Sequence, residues 1–148
     1  MRRYGARADL ALNLWIKLAR AYSTFSRYAV NSIRQFGLTQ PQFGVVECLG
    51  HLGPQTIGQL TRKLLSTGGN MTVVIDNLEK EELVSRSNSK DDRRATVVRL
   101  TPKGKKLFDQ IFPQHAEHIT KLASVLTEEE QQELSRLLKK LGLTLQEQ

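Results

Sequence analysis

Two short runs of β-forming residues stand out in a chain of 148 residues whose other apolar residues follow helical spacing. The runs extend from Leu83 to Ser87 and from Ala95 to Leu100, with residues 88–94 between them. Because the residues between them are polar or charged, and too many for a two-residue turn, the pattern predicts a β-hairpin with a basic, mobile tip. The predicted fold is therefore mainly α with one small β-hairpin.

On both sides of the hairpin, apolar residues recur at intervals of three and four, which predicts helices. The first runs from Asp9 to about Phe36, and Gly37 closes it as a C-terminal cap. Its N-terminal end is apolar on more than one face, so we expect a second chain to cover it. Pro113 lies inside a later helix and is expected to bend or break it. Later helices begin at capping boxes or a Thr-Pro pair: Thr39 to Gln42, Thr56 to Gln59, Thr101-Pro102 and Thr127 to Glu130.

Two short helices precede the hairpin. One is expected to end near Leu65, and a tight turn from Ser66 to Gly69 leads into the next, which ends near Glu82. The second helix carries one apolar stripe: Met71, Val74, Ile75 and Leu78. Two such helices followed by a basic hairpin predict a helix-turn-helix with a wing, whose second helix enters the major groove of DNA.

Five residues of the second helix are expected to face away from the apolar stripe: Asn70, Thr72, Val73, Asp76 and Asn77. All but Asp76 are candidates for reading bases. Asparagine pairs its amide with adenine, and the methyl groups of threonine and valine contact the thymine methyl. The alternative is that these side chains simply face solvent.

The predicted wing is the most basic part of a basic chain. Residues 86–106 hold eight Lys and Arg against two Asp, in a chain whose net charge is +7. Such an excess indicates a polyanionic partner. At the tip, Lys90 is a candidate phosphate contact, and Arg93 and Arg94 are candidates for a narrow minor groove. We expect either Asp91 or Asp92 to pair with a neighbouring arginine and fix its guanidinium.

Two stretches around the hairpin point to a family. Leu78 to Val84 joins the second helix to the first strand, and Asp92 to Thr101 covers the tip and the second strand, before Pro102-Lys103-Gly104 opens the next helix. These stretches resemble the recognition-helix exit and the wing signature of the MarR (multiple antibiotic resistance regulator) family of winged-helix transcription factors. Glu82 stands where that family usually has glycine.

The resemblance implies a ligand-responsive repressor that acts as a homodimer on double-stranded DNA. Two recognition helices related by a two-fold axis imply a pseudo-palindromic operator. Arg94 is implied to be the minor-groove residue, with Asp92 as its partner. The resemblance also implies a single domain over residues 1–148, with a winged helix-turn-helix DNA-binding part at 38–101 and dimerisation helices at 1–37 and 102–148.

A candidate effector site follows from aromatic residues expected where the DNA-reading unit meets the dimerisation helices: Tyr22, Phe25, Arg27, Phe43, His51, Phe108 and Phe112. A crevice there suits a small aromatic or phenolic molecule, with Arg27 receiving a carboxylate. The alternative is that these aromatic residues form the hydrophobic core that joins the two parts.

Cys48 and a pair of histidines also invite a chemical role. The single cysteine can form no internal disulfide, and its apolar surroundings favour a buried, unreactive thiol. His115 and His118 are three residues apart and could share a metal, but an exposed or dimer-facing pair is favoured. His51 either caps the end of its helix or touches an effector. We expect no metal and no cofactor.

Enzyme and membrane motifs are missing from the sequence. It has no phosphate-binding glycine loop, G-x-S-x-G or H-E-x-x-H, which argues against an enzyme. No window approaches eighteen consecutive apolar residues, so we expect no membrane span and a cytoplasmic protein. Two alternatives to a DNA-binding repressor are a winged-helix adaptor that binds protein or RNA, and a basic protein at a membrane surface.

Overall fold

The computed structural model describes residues 3–64 and 66–146 of the chain. Six helices and a small sheet lie within these residues, so the predicted mainly α fold with a β-hairpin is confirmed. The helices are α1 (Ala6–Arg34), α2 (Gln40–Leu52), α3 (Ile57–Lys63), α4 (Gly68–Lys80), α5 (Pro102–Ala123) and α6 (Glu128–Gln146). The strands are β1 (Gln55–Thr56), β2 (Val84–Asn88) and β3 (Thr96–Leu100).

The predicted capping boxes begin α2, α3 and α6. At α2, the backbone N–H of Gln42 donates to Oγ1 of Thr39 at 3.3 Å, and that of Thr39 donates to Oε1 of Gln42 at 2.9 Å. The same reciprocal pair forms at the boxes that start α3 and α6. Each box satisfies amides that the first helical turn leaves without partners, which is why these starting points could be predicted from local sequence.

α4 begins earlier than predicted. The backbone N–H of Asn70 donates to Oγ1 of Thr67 at 3.2 Å, so Thr67 is the N-cap and the two glycines after it form the first helical turn. The tight turn predicted over Ser66–Gly69 is therefore wrong, because the threonine cap offsets the low helix propensity of glycine. α3 ends at Lys63, and the predicted end at Leu65 lies outside the described residues.

The sheet contains one strand that the sequence did not predict. β1 pairs antiparallel with β3, with Gln55 opposite Val98. β3 lies in the middle of the sheet, and β2 pairs along its other edge, where Arg86 is opposite Val98. β1 has only two residues, too few for an alternating pattern to appear in the sequence.

One apolar core joins α2, α3, α4, α5 and the sheet. Its fully buried side chains are Val45, Val46, Leu60, Ile75, Leu78, Val84, Val98 and Ile111. Ile111 anchors α5 in this core two residues before Pro113, and the helix continues through the proline without a break. The sequence predicts that Pro113 bends or breaks the helix, and the break does not occur. Packing on both sides of the proline holds the helix together.

The chain leaves α4 through a turn centred on Glu82. Its φ of +61° is the only positive value at a non-glycine residue in the described parts of the chain. The hydroxyl of Thr101 donates to the carbonyl of Glu82, and Nζ of Lys103 donates to the carbonyl of Glu81 at 2.8 Å. These contacts from the start of α5 hold Glu82 in a conformation that glycine adopts without strain.

Two helices extend beyond the core. α6 contains no buried residue, and one of its sides exposes a row of leucines: Leu134, Leu137, Leu138 and Leu141. The N-terminal half of α1 exposes Leu10 at 71% and Trp15 at 65%. These apolar surfaces have no cover within the described part of the chain. Across residues 3–64 and 66–146, no helix combines the length and apolar character that crossing a membrane requires.

Candidate DNA-binding surface

α4 has one buried side and one exposed side, as its sequence predicts. Met71, Ile75 and Leu78 are buried in the core. The four candidate base-reading residues all lie on the exposed side: Asn70, Thr72, Val73 and Asn77. The hydroxyl of Thr72 donates to the carbonyl of Gly68 at 3.0 Å, so it satisfies its donor within the helix.

Asp76 lies beside these residues, half-buried, and pairs with Arg86 of β2. Nη2 of Arg86 donates to Asp76, and Nε donates to Oε2 of Glu79 at 3.2 Å. The hydrogen bonds to Glu79 and Asp76 raise the pKa of Arg86. Sequence reasoning missed this cluster, because Arg86 is ten residues from Asp76 and lies on another element.

The wing tip, residues 89–95, is held by hydrogen bonds of its own. The backbone N–H of Ser89 donates to the carbonyl of Ala95 at 2.9 Å, and Oγ of Ser89 accepts from the N–H of Asp92 at 3.3 Å. Oδ1 of Asp92 accepts from the backbone N–H of Arg94 at 2.9 Å. Within the described residues no ion pair joins an aspartate of the tip to an arginine, so the expected fixing of a guanidinium does not occur. The Asp92 carboxylate shapes the loop backbone instead.

The cations of the wing tip are exposed. Lys90, Arg93 and Arg94 all present their side chains to solvent, and so does Asp92. The arrangement leaves these cations available to a polyanion, on a loop that is held by its own hydrogen bonds.

The structure divides the residues of the predicted effector site into two groups. In the first, the ring of His51 meets Phe108 and Phe112 edge-on, with centroids 5.1 and 4.4 Å apart. Phe43 joins this group through His115, whose ring is 4.6 Å from Phe43 and 6.4 Å from Phe112. Phe43 belongs to the buried core and Phe108 packs against it, whereas His51 is exposed.

The second group lies on the exposed surface of α1. Tyr22 is 67% exposed and Phe25 is 42% exposed. The guanidinium of Arg27 lies 5.4 Å from the ring centre of its neighbour Tyr28. In the part of the chain that the structure describes, no aromatic contact joins this group to the first. One chain by itself therefore does not assemble the predicted crevice.

Phe108 also lines a groove between the end of α2, β3 and the start of α5. The groove has a volume of about 350 Å³ and is lined by Leu49, Gly50, Gly53, Pro54, Arg99, Leu100, Thr101, Lys105, Phe108 and Asp109. Gly50 makes it possible for α5 to come so close, because a Cβ at that position would meet the Phe108 ring at 2.5 Å.

The two histidines of α5 have separate environments. His115 is half-buried, and its Nδ1 has no hydrogen-bond partner among the described residues. Burial lowers the pKa of His115. Nε2 of His118 lies 2.9 Å from the carbonyl oxygen of Tyr28. Both histidines are half-buried in the single chain, and a dimer-facing pair stays a prediction. Residues 3–64 and 66–146 hold no group of three or more side chains placed to bind a metal.

Cys48 lies half-buried against the core, and burial raises the pKa of its thiol. A raised pKa favours the protonated thiol over the reactive thiolate, and an unreactive Cys48 stays a prediction.

Comparisons with known proteins agree with the fold. A sequence model of the MarR family matches residues 38–96. The HTH-type transcriptional regulator MhqR of Bacillus subtilis (strain 168) is 40% identical over 135 residues, which cover 91% of this chain and 93% of MhqR. The structure of reduced AbfR bound to DNA is similar with a TM-score of 0.74 and 26% identity, over 95% of each chain. The crystal structure of NadR in complex with 4-hydroxyphenylacetate has a TM-score of 0.77 at 23% identity, over 95% of this chain and 96% of NadR.

The family match covers the helix-turn-helix and most of the wing, and MhqR aligns over nearly the whole chain. These relatives are transcriptional regulators and not enzymes. With the exposed side of α4 and the basic wing, they establish that the chain belongs to the MarR family of DNA-binding winged-helix transcriptional regulators.

Proposed function

We propose that this chain is a homodimeric repressor that binds a pseudo-palindromic operator in double-stranded DNA and releases it when a small aromatic or phenolic effector binds. One observation carries the DNA-binding part of the proposal. α4 is anchored by three buried residues and leaves its candidate base-reading residues exposed next to the wing strand: Asn70, Thr72, Val73 and Asn77. A helix held in this way presents base-reading side chains to the major groove.

In this proposal the wing supplies the second contact with the duplex. Lys90 meets a phosphate, Arg93 and Arg94 enter the minor groove, and Asp92 holds the backbone of Arg94. The solved structure of the similar regulator AbfR bound to DNA supports the proposal that this fold binds a DNA duplex. We place the protein in the cytoplasm, with the DNA that it binds.

The proposed dimer covers the apolar surfaces that the single chain leaves exposed. The leucine row of α6 and the N-terminal half of α1, with Leu10 and Trp15, expose large apolar side chains that nothing covers within the described residues. Packing them against a second copy removes both faces from water and places two α4 helices about one DNA turn apart. In a single domain of residues 1–148, the part at 38–101 then reads DNA, and the dimerisation helices at 1–37 and 102–148 hold the two copies together.

The effector part of the proposal rests on the aromatic cluster around Phe112. His51, Phe108 and Phe112 form one cluster next to the groove beside Phe108, and His115 links Phe43 to Phe112. In the proposed dimer, Tyr22, Phe25 and Arg27 complete the site. NadR, whose solved structure contains 4-hydroxyphenylacetate, supports a phenolic acid as the effector class. The effector acts by preferring one spacing of the two recognition helices, and its effect is limited to its difference in affinity for the two states.

Selection from a pool of random duplexes tests the DNA-binding proposal. We expect enrichment of an imperfect palindrome with half-sites about ten base pairs apart, bound with an affinity that falls steeply with salt. A pool without enrichment contradicts sequence-specific binding. Tight binding to single-stranded RNA instead of the duplex would favour the adaptor alternative.

The effector proposal is tested by titrating 4-hydroxyphenylacetate into the complex with the selected duplex. We expect release at millimolar ligand, and loss of that response in Phe112→Ala and His51→Ala. Val125→Ala, at a highly exposed residue in the turn before α6, is the matched control and should respond like the wild type. Release that persists unchanged in both cluster variants contradicts this placement of the effector.

A further inference from the structure

Arg86 occupies an unusual place for a charged residue. It stands opposite the fully buried Val98 and on the same side of β2 as the buried Val84, because residues two apart in a strand share a side. Its side chain is only 26% exposed. A cation on the inner side of a sheet requires anionic partners, and α4 supplies them.

The guanidinium of Arg86 bridges two carboxylates of α4. Nη2 pairs with Asp76 and also donates to Oε1 of Glu79 at 3.3 Å, while Nε donates to Oε2 of Glu79 at 3.2 Å. Asp76 and Glu79 are three residues apart, so they are neighbours on one side of the helix. A planar guanidinium that engages both restricts rotation and sliding of α4 against the strand.

β2 transmits this restraint to the wing tip. All five residues of β2 pair in register with β3, from Val84 opposite Leu100 to Asn88 opposite Thr96. The tip begins at residue 89, about 10 Å along the strand from Arg86. The bridge therefore fixes the root of the wing to the helix that carries the base-reading residues.

We propose that Arg86 is a positioning residue that sets the wing against the recognition helix, so that α4 in the major groove and the wing in the minor groove engage one duplex together. The inference rests on the proposed contact of both elements with DNA. Arg86 acts through geometry and not by contacting a phosphate, because Nε and Nη2 donate to Asp76 and Glu79.

Two variants of opposite charge change test this role on the duplex that the wild type selects from a random pool. Arg86→Gln removes one positive charge, and Asp76→Asn removes one negative charge. If charge alone mattered, the first would weaken binding and the second would strengthen it. We expect both to weaken binding, by about tenfold or more for Arg86→Gln, with the slope of log affinity against log salt unchanged. The double variant should bind no more weakly than the weaker single variant.

Arg99→Gln is the matched control for charge. Arg99 lies on the neighbouring strand, is exposed, and reaches only Oγ of Ser87 at 3.4 Å within the described residues. We expect its affinity to stay within about threefold of the wild type. Thermal unfolding of each variant shows whether it is folded at the temperature of the binding assay.

Amide hydrogen exchange on the protein without DNA gives a second readout. In Arg86→Gln, the amides of β2 and of the last turns of α4 should exchange about tenfold faster, with little change in Arg99→Gln. If the wild type selects no duplex, that result counts against the proposed function alone. Hydrogen exchange still decides in that case whether Arg86 couples the helix to the wing.

Three results would overturn the inference. Tighter binding by Asp76→Asn would show that charge dominates. A reduced salt slope in Arg86→Gln would show that Arg86 contacts phosphate. A changed base preference in Asp76→Asn that Arg86→Gln does not share would show that Asp76 reads a base itself.

Discussion

The carboxylate of Asp92 accepts the backbone N–H of Arg94 at 2.9 Å, at the tip of the wing. The acceptor fixes the loop around Arg94 and leaves the guanidinium exposed to solvent. The hydrogen bond that Asp92 accepts gives an acidic residue a structural role at the tip of a basic wing.

Substitutions at Asp92 separate these two roles. Asp92→Asn keeps an oxygen that accepts from Arg94 and removes the negative charge, so we expect duplex affinity equal to or above that of the wild type. Asp92→Ala removes the acceptor, and we expect a loss of about fivefold, the equivalent of one hydrogen bond worth about 1 kcal/mol. Fluorescence anisotropy with the selected duplex measures both. Equal losses in the two variants would show that Asp92 acts through its charge.

Glu82→Gly is expected to stabilise the fold. Glu82 has a φ of +61°, which carries a steric penalty for every residue except glycine, so we expect a gain of about 1 kcal/mol in the free energy of unfolding. Glu81→Gly is the control at the preceding position, where φ is −86° and glycine should reduce stability. Urea unfolding measures both, and a loss of stability in Glu82→Gly contradicts the account of this turn.

The boundaries of the helices show what local sequence determines. The capping boxes at Thr39, Thr56 and Thr127 bring donor and acceptor within four residues, so the helix starts could be predicted from spacing alone. The two-residue β1 could not, because its formation depends on pairing with β3, some forty residues later in the chain. The start of α4 differs from the prediction, because two glycines indicate a turn unless the preceding threonine caps a helix.

The candidate site shows the same division. The exposed side of α4 and the basic wing could be predicted from periodicity and charge. The bridge from Arg86 to Asp76 and Glu79 could not, because β-strand periodicity marks position 86 as facing the core and gives no sign of a carboxylate partner. The predicted effector residues form two separate groups in the structure. The order of the helices along the chain predicts which helices pack together, but it does not show which side of each helix faces its neighbour.

The stability of the protein should fall in weak acid partly through His115. Burial lowers the pKa of His115, an effect that His118 reinforces and Glu47 opposes. Between the usual histidine pKa of about 6.5 and the lower value in the fold, the unfolded chain binds more protons than the folded one, so stability rises with pH across this window. His115→Gln should reduce the difference in unfolding free energy between about pH 7.5 and about pH 5.5. Parallel pH profiles for variant and wild type contradict this role.

The leucine row of α6 should hold the dimer together. Leu141→Asp places a charge in that row and should give a monomer by sedimentation at micromolar concentration. Leu143, two residues further on and so on the opposite side of α6, is also exposed and provides the matched control. Leu143→Asp should remain dimeric. A wild type that sediments as a monomer, or a dimer that survives Leu141→Asp, contradicts the proposed interface.

The most direct test of the account is the affinity of wild type and Arg94→Ala for the selected duplex and a scrambled duplex of equal length, over a range of salt concentrations. We expect the wild type to prefer the selected duplex by about a thousandfold or more. We expect Arg94→Ala to bind it much more weakly, with a salt slope lower by about 0.9 for each subunit that loses its arginine. Equal binding of the two duplexes by the wild type, or wild-type affinity and salt slope in Arg94→Ala, would contradict operator reading by α4 and the wing.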